Sequence, residues 1–156
     1  MAKATDDRTT PDWVFDPLDA RFAFDLDVCA TKDNCKVPIY LGPDAPLAIC
    51  RDALAKEARW SQWGSTWWMN CPYSEIPLWL AKAMREIRFA DEPCRCVCLL
   101  PVSTSSIWFH KYLWNKHTRT WREIVGYVDF LDKRIDFAPH FTGAKWPNIV
   151  VELRVP

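Results

Sequence analysis

The stretch from Trp67 to Val102 restricts the fold more than any other part of the chain. Trp67-Trp68-Met69 is short and apolar, as a strand is, and runs into the turn Asn70-Cys71-Pro72-Tyr73-Ser74. Beyond it Ile76, Trp79, Leu80, Ala83, Met84 and Ile87 recur at spacings of three and four, the signature of an amphipathic helix. Ser74 suits the N-cap, and Pro77 falls in the first turn, where a missing N–H costs little. Cys96 to Val102 is a continuous apolar run, as expected of a central parallel strand covered on both faces. Strand, helix and strand in that order predict an α/β sandwich.

The flanking segments extend this pattern. Trp13 to Phe22 reads as a short helix capped by Asp12, with Pro17 limiting its regularity. Phe24 to Ala30 alternates apolar and acidic residues and predicts a strand ending near Asp27. Proline-rich loops fill Pro38 to Pro46, and a short helix is expected over Arg51 to Ala58. Thr104 to Leu113 predicts an aromatic-rich helix, with later strands over Arg122 to Phe130, Arg134 to Phe137 and Asn148 to Val155. Met1 to Arg8 reads as a loose tail, so residues 1–9 are expected to be flexible and 10–156 to form one domain.

Composition narrows the setting. Ten tryptophans and a hydrophobic content of 49% demand a folded core. The longest apolar runs are too short to cross a bilayer, and the polar opening resembles no export signal. Seven cysteines in such a chain fit a reduced, cytoplasmic setting, with most thiols acting as small buried apolar groups. Cys94, Cys96 and Cys98 alternate along one face of an extended strand, which suits buried packing better than a zinc knuckle. Only four glycines are present, which argues against a phosphate-cradling loop.

The turn after Trp67-Trp68-Met69 carries the chemistry. Asn70 offers a side-chain oxygen, and the carbonyl of Cys71 is held near extended geometry by Pro72. Two such acceptors aimed at an exocyclic amine draw its nitrogen toward tetrahedral geometry and release the lone pair. Tyr73 can stack on a base swung out of a duplex. No general base is needed, because an N-methylated amine cation loses its proton readily. The rival reading is an ordinary strand-to-helix turn in which Asn caps, Pro rigidifies and Tyr packs. A catalytic Cys71 thiol is disfavoured, because attack on a pyrimidine C6 calls for the order Pro-Cys and this chain has Cys-Pro.

Asn70-Cys71-Pro72-Tyr73 is one residue from the Asn-Pro-Pro-Tyr box of amino-methyltransferases, and further segments match in order. These are Thr10-Pro11, the Phe22 to Ala30 segment with Asp25 and Asp27, the Asn34 to Tyr40 loop, and Asp52-Ala53-Leu54. Pro101, Thr104, Ser105, Trp108, Phe109 and His110 follow, and then Arg134-Ile135-x-Phe137. From Thr10 to about Val155 the chain resembles the phage-type DNA N6-adenine methyltransferases (Dam-like). Cys71 replaces the first proline of the box, and Lys133 replaces the glycine before Arg134.

The resemblance implies a Rossmann-like S-adenosylmethionine methyltransferase fold, a mixed seven-stranded sheet with helices on both faces in a single domain. It implies that Thr10, Pro11, Asp27, Cys29 and Ala30 line the methionine end of S-adenosylmethionine, with Asn70 beside them, and that Asp52 faces its adenine end. Asn70, Cys71, Pro72 and Tyr73 would hold the target base. The alternatives for Asp27 and Asp52 are a solvated edge carboxylate and a simple helix start.

Net charge is formally zero, yet no acid lies between Pro93 and Arg122. Lys111, Lys116, Arg119 and Arg122, with Arg134, are the candidate phosphate contacts for double-stranded DNA; a locally biased solvated face is the alternative. The expected protein is a phage-derived enzyme, monomer or homodimer, acting in the host cytoplasm and away from membranes. It would methylate adenine N6 directly and guard phage DNA from restriction. Rivals are a degenerate relative that only binds DNA or a host protein, and a cytosine N4 methyltransferase.

Overall fold

A computed structural model describes residues 9–137 and 146–156; the tail expected over Met1 to Arg8 lies outside the described residues. Among the described residues seven strands and two α-helices follow in chain order: α1 (Asp12–Phe22), β1 (Leu26–Asp27), β2 (Thr66–Met69), α2 (Ile76–Phe89), β3 (Arg95–Pro101), β4 (Trp114–Asn115), β5 (Thr120–Trp121), β6 (Val125–Phe130) and β7 (Asn148–Arg154). The main sheet has the order β1-β2-β3-β7-β6. β1, β2 and β3 are parallel, and β7 is antiparallel to both β3 and β6. The architecture is thus mixed α/β, as expected.

Among the described residues the main sheet holds five strands rather than seven, because β4 and β5 pair only with each other. The strand expected over Arg134 to Phe137 is absent. Ile135 and Phe137 bury against the α1 side of the sheet, so the segment lies over a face instead of extending an edge.

Period-two alternation divides the core. Trp67, Met69, Cys96, Cys98, Leu100, Ile149, Val151 and Leu153 pack beneath Ile76, Leu80, Ala83 and Ile87 of α2. Trp68, Val97, Leu99 and Val150 face Val14, Phe15, Leu18 and Phe22 of α1. Consecutive tryptophans therefore point in opposite directions: Trp67 meets Trp60 edge-on at 5.5 Å, and Trp68 meets Phe15 likewise. Such pairs add to the burial of their large area.

Local details correct several expectations. Pro11, not Asp12, precedes α1, and its carbonyl accepts the N–H groups of Val14 and Phe15. Ser74 sits inside a 3-10 turn, Tyr73–Glu75, so α2 starts later than a Ser74 cap implies. Residues 51–58 form turns and no helix: the Asp52 carboxylate accepts the N–H groups of Leu54 (3.1 Å) and Ala55 (3.2 Å) as a cap would, but the carbonyls of Ala55 and Ala58 turn to the Lys82 ammonium. The helix expected from Thr104 begins at Ile107 and widens into a π-turn over Phe109–Leu113. There Arg122 donates to the His110 carbonyl at 2.8 and 3.2 Å. No helix among the described residues is long and apolar enough to cross a membrane.

Candidate active site

The parallel strands β1, β2 and β3 end on one edge of the sheet, the usual place for a site in α/β folds. Asp27 closes β1, and Asn70 follows Met69, the last residue of β2. In register Asp27 pairs with Trp68, two residues before Asn70, so carboxylate and amide emerge from adjacent strands. The chain entering α1 reaches the same edge, where Asn70 Nδ2 donates to Thr10 Oγ1 at 2.9 Å. Thr10 is buried, so this contact is shielded from water. It holds the amide nitrogen and thereby orients the amide oxygen.

Asp27 is 2% exposed, and its carboxylate accepts the N–H groups of Cys29 (3.3 Å) and Lys36 (3.1 Å). Burial pushes its pKa up from 3.8 to about 6, against the pull of those two N–H groups and of the Lys36 charge. Lys36 Nζ itself pairs with Asp12 at 2.7 Å. Among the described residues Asp27 has no ion-pair partner. A buried carboxylate without a paired cation is a site that a ligand ammonium would complete. A methionine-like ammonium fits that donor set.

A second loop supports this one. Asp27 N–H donates to the Ile39 carbonyl and Leu41 N–H to the Asp27 carbonyl, while Ala30 N–H donates to the Leu41 carbonyl. Gly42 is obligatory here, since a Cβ would lie 1.6 Å from the Ala30 carbonyl oxygen. Asp25 differs from Asp27: it accepts the N–H groups of Ser65 and Thr66 at the opposite edge and is structural. Asp52 is exposed at its own turn.

In the turn after β2, the Cys71 side chain is 2% exposed and packs in the α2 core cluster. The residue that departs from the family pattern therefore fills core space, and its buried thiol is poorly placed to attack a base. The Pro72 carbonyl accepts the Glu75 N–H at 2.9 Å, closing the turn. Tyr73 is half-buried. Its ring meets Phe137 edge-on at 6.4 Å, and its hydroxyl accepts a hydrogen bond from Asn148 Nδ2. Phe137 was legible as part of Arg134-Ile135-x-Phe137, but nothing in the sequence linked Asn148 to Tyr73.

Four of the candidate phosphate contacts lie about one cavity, whose lining includes Asn115, Thr118 and Thr120 of the β4–β5 turn, and Arg134 lies apart from them. Lys116 and Arg119 are exposed in the β4–β5 turn, and Arg134 is exposed beside Ile135 on the α1 side. Lys111 and Arg122 line a cavity of about 710 Å³ with Arg88, Trp121 and Pro156. That cavity lies by the end of α2 and the end of β7, at the opposite edge of the sheet from Asn70. The seven-residue β3 separates the two edges by about 20 Å.

A family model described as DNA N-6-adenine-methyltransferase (Dam) matches residues 1–147. A DNA N-6-adenine-methyltransferase of Haemophilus phage HP1 is 32% identical over 136 residues, covering 86% of this chain and 67% of that protein.

Proposed function

The chain belongs to the DNA N-6-adenine-methyltransferase (Dam) family, and from that premise we propose that it methylates N6 of adenine in double-stranded DNA, using S-adenosylmethionine. The observation that carries this reading is the Asn70–Thr10 hydrogen bond, which joins the base-gripping turn to the chain entering α1 beside buried Asp27. Four parallel strands with antiparallel β7 between β3 and β6 support a Rossmann-like core of the methyltransferase kind.

In this reading Asp27 holds the cofactor ammonium, with Thr10, Pro11, Cys29 and Ala30 around the methionine end and Asp52 toward the adenine end. Bound there, S-adenosylmethionine supplies an electrophilic methyl group. Asn70 Oδ1 and the Cys71 carbonyl accept the two N–H groups of the target amine, drawing its lone pair toward the methyl. Tyr73 stacks on the flipped base, and Pro72 keeps the Cys71 carbonyl in place. The N6 proton leaves to water after transfer, and no covalent enzyme intermediate forms. Arg134 meets phosphate; Lys111, Lys116, Arg119 and Arg122 are weaker candidates, since the β4–β5 turn and the cavity it helps to line lie at the far edge. The similar phage protein supports a role in marking phage DNA, including protection from restriction in a host cytoplasm.

The test is incubation of purified protein with DNA and methyl-labelled S-adenosylmethionine, followed by digestion to nucleosides. Label in N6-methyladenine is the expected result. Label in N4-methylcytosine would move the substrate, and absence of both label and cofactor binding by calorimetry would remove the enzymatic reading.

A further inference from the structure

We propose that Asn148 is a positioning residue, which fixes the ring of Tyr73 for capture of the flipped base; this rests on the function proposed above. Asn148 opens β7 opposite Pro101, at the edge where Asn70 leaves β2. One amide there joins three parts of the chain. Nδ2 donates to the Tyr73 hydroxyl, from the turn after β2, and to the Leu100 carbonyl in β3 at 3.3 Å. Phe137 packs edge-on against the same tyrosine ring. Ring and hydroxyl are thus held from separate directions, and the ring has little freedom to turn.

Stability accounts for only part of the amide here, since one of its two polar atoms is bonded and the other is not. Asn148 is 1% exposed, and its Oδ1 has no hydrogen-bond partner among the described residues. A buried polar atom left unpaired is unfavourable, and it offsets part of what the two Nδ2 hydrogen bonds contribute. Its neighbours along β7, Ile149, Val150 and Val151, are aliphatic and fully buried. What the amide adds is geometry, because a leucine cannot hold a tyrosine hydroxyl. A stacking ring that wanders presents the base poorly to Asn70, and small misplacements of a reacting group are expensive in rate.

The experiment is a double-mutant cycle of Asn148→Leu and Tyr73→Phe. It is read as kcat and KM on DNA free of N6-methyladenine, with thermal midpoints of the protein alone. Asn148→Leu takes the donor from the Tyr73 hydroxyl and the Leu100 carbonyl, so it should melt a few degrees lower than the wild type. Below that midpoint it should lose roughly tenfold to a hundredfold in kcat with KM for S-adenosylmethionine unchanged. Tyr73→Phe should lose a similar factor, and the double variant should be no worse than the poorer single one. Retention of kcat within about twofold in Asn148→Leu, or losses that multiply in the double variant, would overturn the proposal. Asn148→Ala serves if the leucine variant does not fold. If the wild type transfers no methyl group, the proposed activity fails by itself. The same cycle is then read in affinity for a short oligodeoxyadenylate, where loss without additivity supports Asn148 and unchanged or additive affinity overturns it.

Discussion

Asp27 and Glu86 are both buried carboxylates, 2% and 4% exposed, and they are satisfied in very different ways. Glu86 pairs with Lys82 at 2.8 Å and accepts the Trp60 N–H at 2.8 Å. The Lys82 ammonium also donates to the carbonyls of Ala55 and Ala58, each at 2.8 Å. All three ammonium donors have acceptors, and both carboxylate oxygens have donors. Asp27 has two backbone N–H groups and no paired cation among the described residues. The completed network is structural, since it ties residues 55–60 onto α2. In the function proposed above the incomplete one binds a ligand, since what it lacks is a cation that a ligand can bring.

The largest expected effect comes from breaking the completed network. Lys82→Met leaves Glu86 buried and unpaired and orphans two carbonyls, so unfolding in urea should show a loss of about 3–5 kcal/mol. A loss below about 1 kcal/mol would mean that water reaches Glu86 and that the two carboxylates are not opposites after all.

Asp27→Asn should change stability in a way that depends on pH. The folded value of about 6 lies above the ordinary 3.8, so folded protein holds the Asp27 proton where unfolded chain has lost it. The Asp27 contribution to stability is therefore fully present below pH 4 and lost as pH rises through about 6. The stability difference between ligand-free wild type and the asparagine variant should move against the wild type by up to about 3 kcal/mol from acid to neutral pH. This comes on top of a constant offset for the one backbone N–H that an amide cannot accept. Paired denaturation curves across that window check it, and a flat difference would contradict it. In the same variant, affinity for S-adenosylmethionine by calorimetry should drop on the order of a hundredfold, since a buried charge partner is lost.

These contrasts show what a sequence discloses. α2 was legible because its apolar spacing is local, and β3 because a strand covered on both faces is apolar throughout. Asp27 and Asn70 stood out through residue type and order along the chain. Lys82 and Glu86 did not, because an i,i+4 Lys–Glu pair on a helix usually marks its solvated face. The loop from Asp52 to Trp63 folds over α2 and bonds them through Ala55, Ala58 and Trp60, and that contact is not local. Asn148 and Tyr73 are similarly hidden, lying 75 positions apart. The helix expected over Arg51 to Ala58 failed, although Asp52 is placed to cap it, because the distant Lys82 ammonium draws the Ala55 and Ala58 carbonyls out of a helical path.

The smallest effect sharpens the comparison most finely. Lys36 is the nearest thing Asp27 has to a cation, yet its ammonium is bonded to Asp12 and acts on Asp27 only through space. The Lys36 backbone N–H, by contrast, bonds Asp27 directly and survives any side-chain change. Lys36→Met should therefore leave the Asp27 geometry intact while removing an attraction that favours its charged form. The Asp27 midpoint, read as the pH at which wild-type-like and Asp27→Asn stability curves diverge, should move up by less than burial itself has moved it. Asp12 should titrate closer to its ordinary value, having lost first a hydrogen bond and then a charge. A large upward jump at Asp27 would instead make Lys36 a true counterion, and Asp27 would then resemble Glu86 rather than oppose it.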